Sequence, residues 1–130
     1  MITGLFLVRS PGRAEKRSAG TSDQTVAAIS IEKFKAKVQS PKARELFVDV
    51  REESEFREMR IPGTRNIPLS ELVFQLQELA GYDRVYLFCL SGPRTHSAAR
   101  TLAYLGLGNL VSVSGGLKAW KLAGFPVEGS

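Results

Sequence analysis

The chain reads as an α/β domain, a parallel sheet with helices on both faces. Three observations predict it. Residues 46–50 and 85–88 are short runs apolar on both faces, and residues 110–113 form a third apolar run; such runs suit strands buried in a parallel sheet. Segments with helical apolar spacing separate them, and strand alternating with helix predicts a sheet covered on both sides. The length, 130 residues, is that of one domain, enough to bury about two-thirds of the unfolded surface without a disulfide or metal staple. Apolar and charged fractions of 43% and 24% are ordinary for a globular domain.

Residues 1–27 read as an N-terminal extension and residues 28–130 as the domain, with a first short strand at residues 26–29 across the join. In the extension, Ile2 to Val8 is apolar but short, and Ser10-Pro11-Gly12-Arg13 breaks it. The remainder is small, polar and basic. A linker or docked arm is the favoured reading. A transit peptide is the alternative, because the segment bears Arg and Ser and is poor in acids. A remnant of a gene boundary is a third, and a secretory signal fits worst.

Ser30 is placed to cap a helix with Ile31, Phe34 and Val38 on its inner face, Lys33, Lys35 and Lys37 on its wet face, and Pro41 beyond its end. The next strand runs to Asp49-Val50, with Asp49 near its end and Arg51 following. An ion pair or turn cap is the expected role of Asp49; support of the reactive loop described below is the functional alternative for Asp49 and Arg51. Residues 52–58 are charged around Phe56 and predict a short helix. Ile61-Pro62-Gly63 is a turn. Ser70 is expected to cap an amphipathic helix with Leu72, Val73, Leu76 and Leu79 inward, ending at Gly81.

The strand at residues 85–88 runs directly into Cys89, the only cysteine. Leu90-Ser91-Gly92-Pro93 cannot extend a strand. A helical period begins at Thr95, with Ala98, Ala99, Leu102 and Leu105 on one face. Cys89 therefore sits at the carboxyl end of a strand, in a tight turn opening a helix, where open α/β sheets place their ligand crevices. Backbone N–H groups of such a turn form an anion nest, the helix start is electropositive, and Arg94 adds a charge that does not titrate. All three favour a thiolate, the nucleophilic form. The plain alternative is a buried cysteine acting as a small hydrophobe. His96, the single histidine, is expected to be exposed on the first helical turn, and one Cys with one His builds no metal site. Gly115-Gly116 should bend the chain into a last helix bearing Leu117, Trp120 and Leu122, with Trp120 in the core.

Cys89-Leu90-Ser91-Gly92-Pro93-Arg94 resembles the C-x-x-G-x-R loop of rhodanese-like sulfurtransferases. Asp49-Val50-Arg51 with Glu55-Phe56 resembles the family's D-V-R-x-x-x-E-F stretch. Ile61-Pro62-Gly63-Thr64-Arg65-Asn66-Ile67-Pro68-Leu69 resembles its I-P-G-A-x-N-I-P-L stretch. Gly115-Gly116-Leu117-Lys118-Ala119-Trp120 and Ala123-Gly124-Phe125-Pro126-Val127 resemble its G-G-x-x-A-W and A-G-x-P-V ending. These segments come in the family's order across roughly residues 29–127. Two departures stand out: Met59-Arg60 replaces the usual Gly-His, and Leu90 stands where thiosulfate-active relatives often carry a basic residue.

The resemblance implies the rhodanese-like three-layer fold, with about five parallel strands. It implies a persulfide on Cys89 as the covalent intermediate, without any separate cofactor, and a substrate loop of Leu90, Ser91, Gly92, Pro93, Arg94 and Thr95. The implied donor is a small anion such as thiosulfate and the acceptor cyanide or a thiol. With no second cysteine, the acceptor is an external thiol or protein. A cysteine phosphatase or arsenate reductase is a competing class, but such loops place five residues between Cys and Arg, and here there are four. A non-catalytic binding module is the other, although it would not need the cysteine. A monomer or weak homodimer is expected. The formal net charge of +5 comes without a basic block interleaved with aromatics, so no nucleic-acid partner is expected; no apolar run has the length of a membrane span. One cysteine suits a reducing compartment. The expected location is cytoplasmic, or an organelle if residues 1–27 act as a transit peptide.

Overall fold

The computed structural model describes residues 26–129. The apolar run Ile2 to Val8 and the linker and transit readings of the extension lie outside the described residues.

Five strands, β1 (Ala27–Ile29), β2 (Glu45–Asp49), β3 (Arg65–Asn66), β4 (Arg84–Phe88) and β5 (Leu110–Val113), form one sheet in the order β1-β5-β4-β2-β3. Every pairing is parallel. Five helices, α1 (Ile31–Gln39), α2 (Glu53–Glu58), α3 (Leu76–Ala80), α4 (Pro93–Tyr104) and α5 (Gly116–Leu122), and a 3-10 helix at Leu69–Gln75 complete the chain. The α/β class and the five-stranded parallel sheet hold as expected.

Alternation along the central strands feeds two cores. Val48, Val85 and Leu87 pack with Leu72 of the 3-10 helix, Leu79 of α3, and Ala98, Ala99 and Leu102 of α4. On the other face Phe47, Tyr86, Phe88, Val111 and Val113 meet Ile31, Phe34 and Val38 of α1 and Leu117 and Trp120 of α5. Phe34 lies at the middle of this second core, 5.4 Å from the Phe88 ring and edge-on to Trp120 at 6.0 Å. Trp120 is buried, and its indole N–H donates to the Pro126 carbonyl at 2.7 Å. Ser30 caps α1 by accepting from the Lys33 N–H. Of the three lysines expected on the wet face, Lys35 lies 4.9 Å over the Phe125 ring and Lys37 reaches Glu45.

Three expectations fail. Residues 69–80 are not one amphipathic α-helix: a 3-10 helix hands over to the short α3, and the residue before it, Pro68, stands at the cap where Ser70 was expected. With about three residues per turn instead of 3.6, the inward row becomes Leu69, Leu72, Leu76 and Leu79, and Val73 turns out to solvent. Helix α4 begins at Pro93, because Gly92 already bends the chain, and it ends at Tyr104. Leu105 is consequently the exposed C-cap, not a core residue. Helix α5 does carry Leu117, Trp120 and Leu122, the last of them exposed at its final position. Phe56 is only half-buried, and α2 buries no residue fully.

Candidate active site

The site is built where β4 ends between β2 and β5. Cys89 follows the last strand residue, and its residue surface is 1% exposed. The next residues curl back over the sulfur, and the Gly92 N–H donates to Sγ at 3.1 Å. Gly92 has φ +131°, a conformation side chains rarely adopt, so the glycine is what allows that amide to face inward. The first turn of a helix leaves its N–H groups without helical partners. In α4 Pro93 has none to give, the His96 N–H is taken by the Gly92 carbonyl, and the Thr95 N–H is left to the sulfur.

Burial pushes the Cys89 thiol up, and this is the largest single influence. It is outweighed by the Thr95 hydroxyl, then by the N–H groups of Thr95, Gly92 and Ser91, so the thiol titrates below its ordinary range. The Thr95 hydroxyl is buried and has no hydrogen-bond partner of its own within bonding geometry. Its position one helical step past the loop makes it the strongest of the groups that favour the thiolate.

Arg94 is also held by a partner the sequence did not indicate. Its guanidinium donates to Glu55 Oε1 at 3.2 Å, and the two groups form an ion pair about one-third exposed. The Glu55 hydrogen bond holds Arg94 protonated, with the Cys89 charge a smaller contribution. The same contact, with the Glu52 N–H second, holds the Glu55 carboxyl below its ordinary range. Leu90 lies at the loop's rim, 43% exposed, and Ser91 and Pro93 are exposed beside it.

A second support comes from α5. Its first N–H groups bind the loop's carbonyls: Leu117 N–H to Cys89 at 2.9 Å and Lys118 N–H to Leu90 at 2.8 Å. Gly116, with φ +59°, makes this contact sterically feasible, since a Cβ there would collide with the Cys89 carbonyl oxygen and stand 2.8 Å from that of Leu90. The sequence showed the glycine pair only as a bend.

Asp49 and Arg51 lie at the neighbouring strand end and bind each other. Arg51 Nη2 is 2.8 Å from Asp49 Oδ2, Nε reaches both carboxylate oxygens at 3.0 Å, and Nη2 also donates to the Met59 carbonyl at 2.6 Å. Both are buried. Their bonds run to each other and to the backbone, so they brace the β2–α2 turn rather than meet the sulfur. Asn66 ties the same turn by donating to the Asp49 and Arg51 carbonyls. At the departure Met59-Arg60, Arg60 exchanges backbone hydrogen bonds with Glu128 and donates to the carbonyls of Phe56 and Arg57 at the end of α2. His96 is exposed on the first turn of α4. Among the described residues, no cluster of three His, Cys, Asp or Glu side chains is gathered as a metal centre requires, and no helix is long and apolar enough to cross a membrane.

The geometry presents a buried thiol whose charged form the loop favours, suited to nucleophilic attack on a group delivered from solvent. Residues 30–123 match the family model described as "Rhodanese-like domain". Among curated proteins the chain is 38% identical over 96 residues to the provisionally named sulfur carrier protein YrkF of Bacillus subtilis, covering 74% of this chain and 51% of that protein. It is 31% identical over 84 residues to the thiosulfate sulfurtransferase GlpE of Vibrio cholerae, covering 64% and 78%. The chain thus spans about half the length of YrkF. Among solved structures, a rhodanese-related protein from Thermoplasma volcanium superposes with a TM-score of 0.67 at 30% identity, over 78% of this chain and 97% of that one.

Proposed function

The chain belongs to the rhodanese-like domain family, and from that premise we propose that it is a sulfurtransferase that carries a sulfane sulfur on Cys89. The observation that carries this is a buried cysteine sulfur at the end of β4 that accepts the Gly92 N–H at 3.1 Å where α4 begins, with the Thr95 hydroxyl and the loop amides favouring its charged form. In the first half-reaction the Cys89 thiolate attacks the outer sulfur of a donor. With thiosulfate, the Cys89–sulfur bond forms as the donor's S–S bond breaks, and sulfite leaves with the bonding electron pair. The transferred sulfur then holds the negative charge as a persulfide, within reach of the same amides. In the second half-reaction cyanide, or an external thiolate, takes that sulfur and returns Cys89 as thiolate; thiocyanate or a new persulfide is the product. Charge balances in both steps, and ping-pong kinetics follow.

Leu90 offers an apolar rim where a second cation would help a small dianion. That favours a larger, protein-borne sulfur donor, and the carrier name of YrkF fits such exchange between proteins. The test is intact-protein mass spectrometry after thiosulfate or a small-molecule persulfide, with a Cys89→Ser control and a cyanide chase. Gain of one sulfur in the wild type alone, released as thiocyanate, is expected. No gain with either donor overturns the proposal.

A further inference from the structure

We infer that Glu55 sets the donor selectivity of this site, by holding Arg94 in an ion pair that withdraws the loop's cation from small anions. The inference rests on the sulfurtransferase reading. Strands β2 and β4 are neighbours, so the helices that follow them, α2 and α4, begin side by side at the same edge of the sheet. Glu55 stands in the first turn of α2 and Arg94 in the first turn of α4. Their pair bridges the two helix starts beside the Cys89 loop, with Oε1 to Nη1 at 3.2 Å.

Glu55 is not an arbitrary surface carboxylate, because its position is fixed twice. The Glu52 N–H donates to the same Oε1 at 2.9 Å, and the Glu52 side chain accepts from the Glu55 backbone, which is a complete capping box. The carboxylate is thus held in place whether or not Arg94 moves. The nearby Arg51 charge is sealed by Asp49. A dianion such as thiosulfate arriving at the rim meets a pair of zero net charge, and to bind Arg94 it must displace a carboxylate fixed by its own helix. A donor that lands on Leu90 and presents a neutral or singly charged sulfur does not meet that competition. Exposed pairs are weak, so the device grades donors and does not exclude anions.

Glutamine keeps the capping box while removing the charge, which makes Glu55→Gln the clean variant. Cys89 is alkylated with iodoacetate, an anion, and with iodoacetamide, its neutral analogue; the ratio of the two rates reports anion access at equal thiolate content. We expect Glu55→Gln to raise this ratio about fivefold and to lower KM for thiosulfate by a similar factor, and adding Arg94→Ala to cancel both gains. An unchanged ratio in Glu55→Gln overturns the inference, as does an equal rise in the Glu55→Gln/Arg94→Ala pair, which would show that Arg94 does not mediate it, or an equal rise in Glu53→Gln, which removes the same charge from the start of α2 where it pairs with Arg57 and would reflect overall charge alone. Urea unfolding checks the fold, and Glu55→Ala replaces the glutamine variant if that loses it. The alkylation ratio needs no sulfur transfer: if no donor leaves sulfur on Cys89, the sulfurtransferase reading fails separately, while the ratio still judges the ion pair.

Discussion

Cys89 is the residue on which the proposed chemistry turns, and neutral donors lower its thiol's pKa against the effect of burial. Since its thiol titrates below the ordinary range, alkylation by iodoacetamide should rise with pH and level off below the pH at which an ordinary thiol, near about 8.5, does so. Thr95→Val removes the donor that most favours the charged form, so the midpoint should move upward; a rate–pH profile measures it, and an unmoved midpoint would leave the amides as the sole cause. Gly116 is the second decisive residue. Alanine there must either hold a left-handed backbone against the Cys89 carbonyl or push the loop away. Gly116→Ala should cost about 2 kcal/mol or more by urea unfolding and slow Cys89 alkylation. The candidate nucleophile was legible because strand, cysteine, glycine, proline and arginine are contiguous. The role of Gly116 was not, since it depends on a contact with a carbonyl 27 positions earlier in the chain.

At the scale of the elements, the turn after β2 depends on a buried ion pair. Asp49→Ala leaves the Arg51 charge buried without its partner and should destabilise the fold by about 3 to 5 kcal/mol. A paired apolar replacement, Asp49→Leu with Arg51→Met, should recover much of that and retain sulfur loading on Cys89; loss of loading in a folded double variant would assign the pair a part in the chemistry. The segment after β3 makes a contrasting case. Leu72 is 2% exposed and Phe74 83% exposed, so Leu72→Ala should cost about 2 to 4 kcal/mol and Phe74→Ser within about 0.5 kcal/mol. Equal costs would contradict the burial of Leu72 against the sheet. Apolar spacing at 72, 73, 76 and 79 fits an α-helix, and nothing local distinguishes it from the tighter turn that packing against β4 and α4 selects.

For the whole molecule, the order β1-β5-β4-β2-β3 puts β4 at the centre and brings the starts of α2 and α4, and the first turn of α5, around its carboxyl end. Three segments far apart in the chain thereby converge on a reactive residue supplied by the middle strand. Residue pattern alone gave away the element order, the parallel sheet, the capping of α1, the core position of Trp120 and the place of Cys89 in the turn between β4 and α4. All of these are written in short-range pattern: runs apolar on both faces, helical spacing, turn residues at fixed offsets. Only the tertiary structure decided which charges meet. Arg94 finds Glu55 across 39 positions, α5 donates to the Cys89 and Leu90 carbonyls, and Arg60 ties α2 to Glu128 across 68. Coulomb and hydrogen-bond energies depend on distance in space, and separation along the chain carries no record of it until the sheet has set its strand order.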